Sequence, residues 1–294
     1  MRAAGAGAIV TPMCRWLAYS GTPVPINDLL NQGQYSLLYQ SLHSRFGAET
    51  TNGDGFGVGW YGVGDAPGVY RSIEPAWNDW NLRNMGEHIR SGLVFAHIRA
   101  SSGTPVQQTN CHPFARGRWL FMHNGVVHDF AKVKRDLVLN VDPSLYPNIL
   151  GSADSEVLFF LALTFGLEDN PPEAIARTIG LVEQVGREHE VEFPFQGTIA
   201  TSDGERIWAF RYSSEGKSRT LYYSSKVETL RELYPEMAVL HGLDDESRLV
   251  VSEPLGEFPG VWNEVPESSW GVIQPGDDEL HPFAPVAPGS GVSA

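Results

Sequence analysis

Close to its start the chain carries Met13-Cys14-Arg15-Trp16-Leu17-Ala18-Tyr19, one thiol at the head of an alternating apolar run. A thiol attacks only as thiolate, so it needs a base or a lowered pKa. No His or Asp stands beside Cys14 in sequence. Cleavage before Cys14 would supply a base without a side chain. The freed α-amino group has an ordinary pKa of roughly 7.7–8.0 and could take the thiol proton near working pH. Met13 fits such an event, as an initiator whose removal exposes a small residue. Taken alone, Cys14 reads more readily as a buried core cysteine on a first strand, the commoner fate of a free Cys.

Composition narrows the class. A chain of 294 residues makes one large domain or two small ones. A formal net charge of -14 argues against nucleic acid and against an anionic membrane surface as partners. The only cysteines are Cys14 and Cys111. That fits a reducing, cytoplasmic compartment and leaves neither a disulfide framework nor a thiolate zinc cluster. The nine histidines are scattered without a metal-ligand spacing, so no metal or other cofactor is expected. No apolar run is long enough to span a bilayer. Residues 1–13 read as a leader, a propeptide or a misassigned start. The Ala3–Val10 patch is too short and Gly-rich for a secretory signal, and Thr11-Pro12-Met13 is wrong for a lipoprotein site.

Along the chain, Cys14 to Tyr19 is expected as a strand ended by Ser20-Gly21-Thr22-Pro23, and Ser36 to Phe46 as an amphipathic helix. Asn52-Gly53-Asp54-Gly55-Phe56-Gly57-Val58-Gly59 reads as a turn feeding a Gly-rich strand, where another backbone or a ligand comes close. Leu93 to Arg99 is a buried strand ending in charge. Arg118 to His123 is another, stopped by a hairpin turn at Asn124-Gly125. Helices are expected over Asn81 to Ser91, Phe130 to Leu139, from Asp154 onward, and over Pro172 to Glu190. From Phe195 the pattern changes to short strands, with Asp203-Gly204 as a hairpin turn. The expected domain spans residues 14–276, and 277–294, rich in Pro, Gly, Ser and Ala, forms a disordered tail. Strands, then helices, then strands indicate an α+β layered domain with largely antiparallel sheets. Adjacent residues on an extended chain face opposite ways, so a structural role is expected for Cys111 beside His112.

Four features put polar residues at the ends of apolar strands or at a helix start: Cys14, Arg99, Asn124-Gly125 and Asp154. Each has a bland reading, respectively a core thiol, a salt-bridge partner, a turn and a helix cap. Together with their flanks they resemble the class II glutamine amidotransferases, which are N-terminal-nucleophile hydrolases, and most closely the stand-alone YafJ-like branch. The resemblance is carried by Met13-Cys14-Arg15, Asn52 to Gly57, His97-Ile98-Arg99-Ala100-Ser101, Asn110-Cys111-His112-Pro113-Phe114, His123-Asn124-Gly125, Asp154-Ser155-Glu156 and Val251-Ser252-Glu253-Pro254-Leu255, all in the family's order.

The resemblance implies a four-layer αββα sandwich, two antiparallel sheets between helix layers, with the nucleophile opening a central strand. It implies a catalytic set of Cys14, Asn124 and Gly125. Cys14 forms a glutamyl thioester, its α-amine moves the proton, and the Asn124 side chain with the Gly125 N–H makes the oxyanion hole. It implies a substrate-binding set of Arg99 on the α-carboxylate, Asp154 on the α-ammonium, and Ser102 by its offset from Arg99. Sugar-linked members carry Trp after the Arg, where this chain has Ala100, and an Arg near the position of Thr51, which puts transfer to a sugar in question. The expected substrate is glutamine or a γ-glutamyl small molecule, with a separate ammonia-accepting or partner subunit as one arrangement. Two alternatives stay open: hydrolysis of a γ-glutamyl conjugate outright, and a non-catalytic γ-glutamyl-binding module.

Overall fold

The computed structural model describes residues 14–31, 34–42, 52–100, 104–274 and 279–287. Their strands, in chain order, are β1 (Arg15–Pro25), β2 (Phe56–Trp60), β3 (Gly68–Ser72), β4 (Arg90–Ile98), β5 (Phe114–Arg116), β6 (Trp119–Val127), β7 (Phe195–Ser202), β8 (Ile207–Ser213), β9 (Tyr222–Ser224), β10 (Arg248–Val251), β11 (Trp262–Glu264), β12 (Ser269–Ile273) and β13 (Glu279–Pro282). The helices are α1 (Ile26–Asn31), α2 (Leu37–Leu42), α3 (Trp80–His88), α4 (Phe130–Val138), α5 (Asp154–Thr164), α6 (Pro171–Glu188) and α7 (Val227–Leu233). The strands form two antiparallel sheets, one in the order β11-β9-β10-β1-β4-β2-β3 and one in the order β13-β12-β8-β7-β6-β5.

Period-two side chains sort these elements into layers. On β1, Leu17 and Tyr19 join Ile26, Leu30, Leu37 and Leu82 in a core under α1–α3. Trp16 and Ala18 point the other way and meet Leu120, Met122, Ala200 and Ala209 of the second sheet. On β6, Trp119 and Phe121 pack with α4–α6. The result is helix, sheet, sheet, helix: the α+β four-layer sandwich expected above. The two sheets are also joined by a hydrogen bond, Trp16 Nε1–H to Thr198 Oγ1 at 3.1 Å.

Several boundaries differ from the sequence reading. β1 does not stop at Ser20; it continues to Pro25 through a register shift between Ser20 and Val24, which lets the chain bend without ending the strand. Asn124-Gly125 is not a hairpin turn. It lies inside β6, where Asn124 pairs with Thr198 and Gly125 with Gly197. The Gly-rich strand β2 does lie against other backbone: a Cβ on Gly57 would come within 2.2 Å of the His112 carbonyl oxygen. The helix expected over Ser36 to Phe46 is described as far as Leu42, and the remainder of that expectation lies outside the described residues.

The expectation of a disordered tail from residue 277 fails for 279–287. β13 pairs with β12, the His281 ring stacks on Trp270 with centroids 4.4 Å apart, and Phe283 is buried in the core beneath α6. The Val286 amide donates to the Ala176 carbonyl at 2.9 Å, and a Cβ on Gly180 would meet the Val286 carbonyl oxygen at 1.9 Å. A Pro- and Ala-rich composition hid two anchoring apolar residues, Phe283 and Val286, and the domain reaches past 276. Gly180→Ala is expected to destabilise the fold by about 1–3 kcal/mol through overpacking, measured by urea denaturation, whereas Gly62→Ala, with open space around it, should show no such clash.

Candidate active site

Cys14 sits at the mouth of β1, the strand at the heart of its sheet, where β1 pairs with β4 through Arg15 opposite Ile98. Its Sγ lies 3.5 Å from the Ala100 carbonyl oxygen and 3.4 Å from the Ala100 amide nitrogen. The end of β4 therefore carries both the residue that holds the sulfur and, one position earlier, Arg99. The buried Arg99 guanidinium is fixed by the Asp54 carbonyl, 3.2 Å from Nη1, and by Thr104 Oγ1 and the Pro105 carbonyl, 2.6 and 3.2 Å from Nη2.

The second sheet and its helices supply the opposite wall. Asp154 opens α5, and its carboxylate accepts from the Val127 amide at 2.9 Å and from the Ser155 amide at 2.7 Å. These bonds tie the helix start to the end of β6. Cys14, Arg99, Gly125 and Asp154 line a single cavity of about 440 Å³, together with His112 and His123. Asn124, buried on β6 and in phase with Leu120 and Met122, lines a neighbouring cavity of about 740 Å³. Ser102 lies outside the described residues. A side chain at 125 has no room: a Cβ there would come within 2.1 Å of the Gln196 carbonyl oxygen and 2.5 Å of both Gly197 Cα and the His123 ring, so the close neighbours are β7 and a side chain of its own strand.

Burial dominates the electrostatics. It pushes the Cys14 thiol above the ordinary range, and the Ala100 amide and the Arg99 and Arg15 charges offset this only in part. Three imidazoles form a buried group, two of which, His112 and His123, lie on the cavity wall. His97 and His112 have ring centroids 4.1 Å apart, and His123 Nδ1 pairs with Ser155 Oγ at 2.9 Å. Burial keeps all three neutral, with His97 pushed down to about 3. Cys111 takes no part in the cavity wall: its Sγ donates to the Ser72 carbonyl at 3.5 Å, while His112 faces the cavity, the opposite orientations expected of neighbours.

The sequence reading missed one ion pair. Arg15 Nη2 meets Glu253 Oε1 at 2.8 Å with both side chains buried, and Arg15 Nη1 donates to the Cys14 carbonyl at 3.0 Å. Next to Glu253, Ser252 Oγ accepts from the Trp16 amide at 3.0 Å. The segment Val251-Ser252-Glu253 thus clamps the chain immediately after the nucleophile position. Its only signal in the sequence was membership of the resembling set, because no spacing rule links residues so far apart.

With this geometry in view, the comparisons are consistent. A model of the class-II glutamine amidotransferases matches residues 29–282. The chain belongs to that family. It is 32% identical over 302 residues to the "probable glutamine amidotransferase DUG3" of Saccharomyces cerevisiae, covering 92% of this chain and 84% of that one. It is 26% identical over 261 residues to a gamma-glutamyl-hercynylcysteine sulfoxide hydrolase of Mycolicibacterium smegmatis, covering 87% and 93%. The structure of a glutamine aminotransferase class-II domain protein from Silicibacter pomeroyi superposes with a TM-score of 0.69 at 34% identity, over 92% of this chain and all of that one. Family membership makes the chain an amidohydrolase. Among the described residues no helix is long and apolar enough to cross a membrane.

Two outcomes test the electrostatics. Glu253→Ala leaves Arg15 buried without its carboxylate and is expected to cost about 3–5 kcal/mol of stability in denaturant titrations. Acidification is expected to destabilise the protein as pH falls below about 6.5, where the unfolded histidines take up protons that His97, held near 3, refuses. In melts at pH 7 and pH 5, His97→Phe should reduce the loss between them.

Proposed function

We propose that this chain hydrolyses the γ-glutamyl amide bond of glutamine or of a γ-glutamyl compound, with Cys14 as nucleophile. The observation that carries this reading is the meeting of Cys14, Arg99, Gly125 and Asp154 on one cavity, with Asn124 on the adjoining wall. Arg99 binds the substrate α-carboxylate and Asp154 its α-ammonium. Charges fixed by carbonyls on one side and amides on the other orient the amino-acid end and leave the γ-carbonyl at the sulfur.

Cys14 attacks that carbonyl and forms a thioester. The developing oxyanion is met by the Asn124 amide and the Gly125 N–H. A thiol held neutral by burial cannot attack unaided, so a base is required. We assign this role to the α-amine of Cys14 after removal of residues 1–13. The amine takes the thiol proton, gives it to the leaving nitrogen, and then takes one from the water that cleaves the thioester. The products are glutamate and the amine, released to water or passed to a partner subunit. Ser102, three positions after Arg99 in sequence, remains a candidate substrate contact.

Intact-mass measurement on protein purified from its own cell, with turnover assayed on the same sample, tests the reading. A species beginning at Cys14 should hydrolyse γ-glutamyl substrates, and Cys14→Ala should abolish turnover while sparing the fold. Asn124→Ala is expected to lower kcat by about 10²–10³. Equal turnover by protein that retains residues 1–13 would overturn the role of the amine. Tight binding without turnover by the processed form would replace the enzyme reading with that of a binding module.

A further inference from the structure

The cavity of about 740 Å³ next to the thiol is larger than the one that holds Cys14, and it is unused by the chemistry above except at Asn124. Its walls include Tyr222, Phe258 and Trp262, with Arg219 among them. Gly256 keeps room for the Phe258 ring, since a Cβ there would come within 2.4 Å of it. Ammonia, the leaving group of glutamine, has no apolar surface for aromatic walls to cover. A volume of this size falls in the range that holds organic ligands of roughly 300–1,000 Å³.

The charges in the cavity are unevenly placed. Glu253 is joined to Arg15 at 2.8 Å, and the exposed Glu257 accepts from the Tyr35 hydroxyl at 3.3 Å. Arg219 is half-buried, and its charge is close enough to act on the Cys14 sulfur. It lines the aromatic cavity together with Asn124, the residue at the boundary with the Cys14 cavity, and Glu253 also acts on its charge. When a γ-glutamyl amide is built on an α-amino acid, the leaving nitrogen sits one carbon from that residue's carboxylate. A guanidinium at this boundary meets a group in that position.

We infer that this second cavity holds the amine half of the substrate, and that this half is an α-amino acid with a free carboxylate, bound by Arg219, and an apolar or aromatic side chain, bound by Tyr222, Phe258 and Trp262. The inference rests on the γ-glutamyl hydrolase reading and narrows its substrate class. Glutamine fills only the Cys14 cavity, whereas a γ-glutamyl dipeptide fills both.

Calorimetry on Cys14→Ala protein, which binds without turnover, reads the second cavity directly. γ-Glutamylphenylalanine is expected to bind at least tenfold more tightly than glutamine. Arg219→Gln should weaken γ-glutamylphenylalanine at least ten times more than it weakens glutamine. γ-Glutamylphenylalaninamide, which lacks the carboxylate, should bind about as weakly before the substitution as after it. Trp262→Ala should shrink the preference for γ-glutamylphenylalanine over γ-glutamylalanine, which keeps the test intact if Arg219→Gln fails to fold. Equal affinity for glutamine and γ-glutamylphenylalanine, or equal losses for both on Arg219→Gln, would overturn the inference. Wild-type kinetics separate the two claims. Turnover of glutamine with no preference for the dipeptide sinks this inference alone, whereas preferential binding without turnover of any substrate sinks the hydrolase reading and leaves the assignment of the cavity standing.

Discussion

The contact between β1 and the β6–β7 pair across the inner core is the interaction on which the rest of this protein depends. Trp16 lies at its centre, packed on the second sheet and hydrogen-bonded to Thr198. Removing so large a side chain from water ties the sheets together more firmly than any polar contact between them. Cys14 precedes Trp16 by two positions, so it shares the inner-facing phase of the strand. Asn124 holds the equivalent phase on β6. The Cys14 and Asn124 side chains are therefore continuations of the rows that build the inner core.

Placing a reactive thiol at the edge of that core has a cost that shapes its surroundings. Burial disfavours the thiolate, and the arginines nearby offset only part of this. The cations themselves are expensive to bury and each is held: Arg15 by Glu253 and the Cys14 carbonyl, Arg99 by the Asp54, Thr104 and Pro105 oxygens. Behind them the imidazoles of His97, His112 and His123 stay neutral, which adds polar bulk without further positive charge. In the proposed mechanism a neutral thiol beside fixed cations waits for a base and for an anionic substrate group. It is not a standing nucleophile, and that is the physical ground for seeking the base on its own nitrogen.

Much of this was legible in the sequence, for identifiable reasons. Short continuous apolar runs such as Trp16 to Tyr19 and Trp119 to Met122 are those of strands buried on both faces. The apolar helix from Asp154 announces itself by length. The same local rules failed where long-range pairing overrode them. Asn124-Gly125 has turn chemistry, yet β7 supplies a partner for each residue and holds both in the strand. The tail has the composition of a disordered segment, yet Phe283 and Val286 find sites beneath and beside α6. Glycine at 125 is required by its neighbours across the strand pair, since a Cβ there would meet the Gln196 carbonyl oxygen, Gly197 and the His123 ring.

The sequence by itself determined the layer class and singled out Cys14, Arg99, Asn124, Gly125 and Asp154 as a candidate set, because periodicity is local and the family's short motifs survive as strings. Only the tertiary structure decided which of them share a cavity, that Glu253 returns to hold Arg15 beside the thiol, and that a second aromatic cavity opens beyond Asn124. Ion pairs and cavities are formed by residues remote in the chain. Their energies depend on burial and separation, quantities that no window of sequence contains.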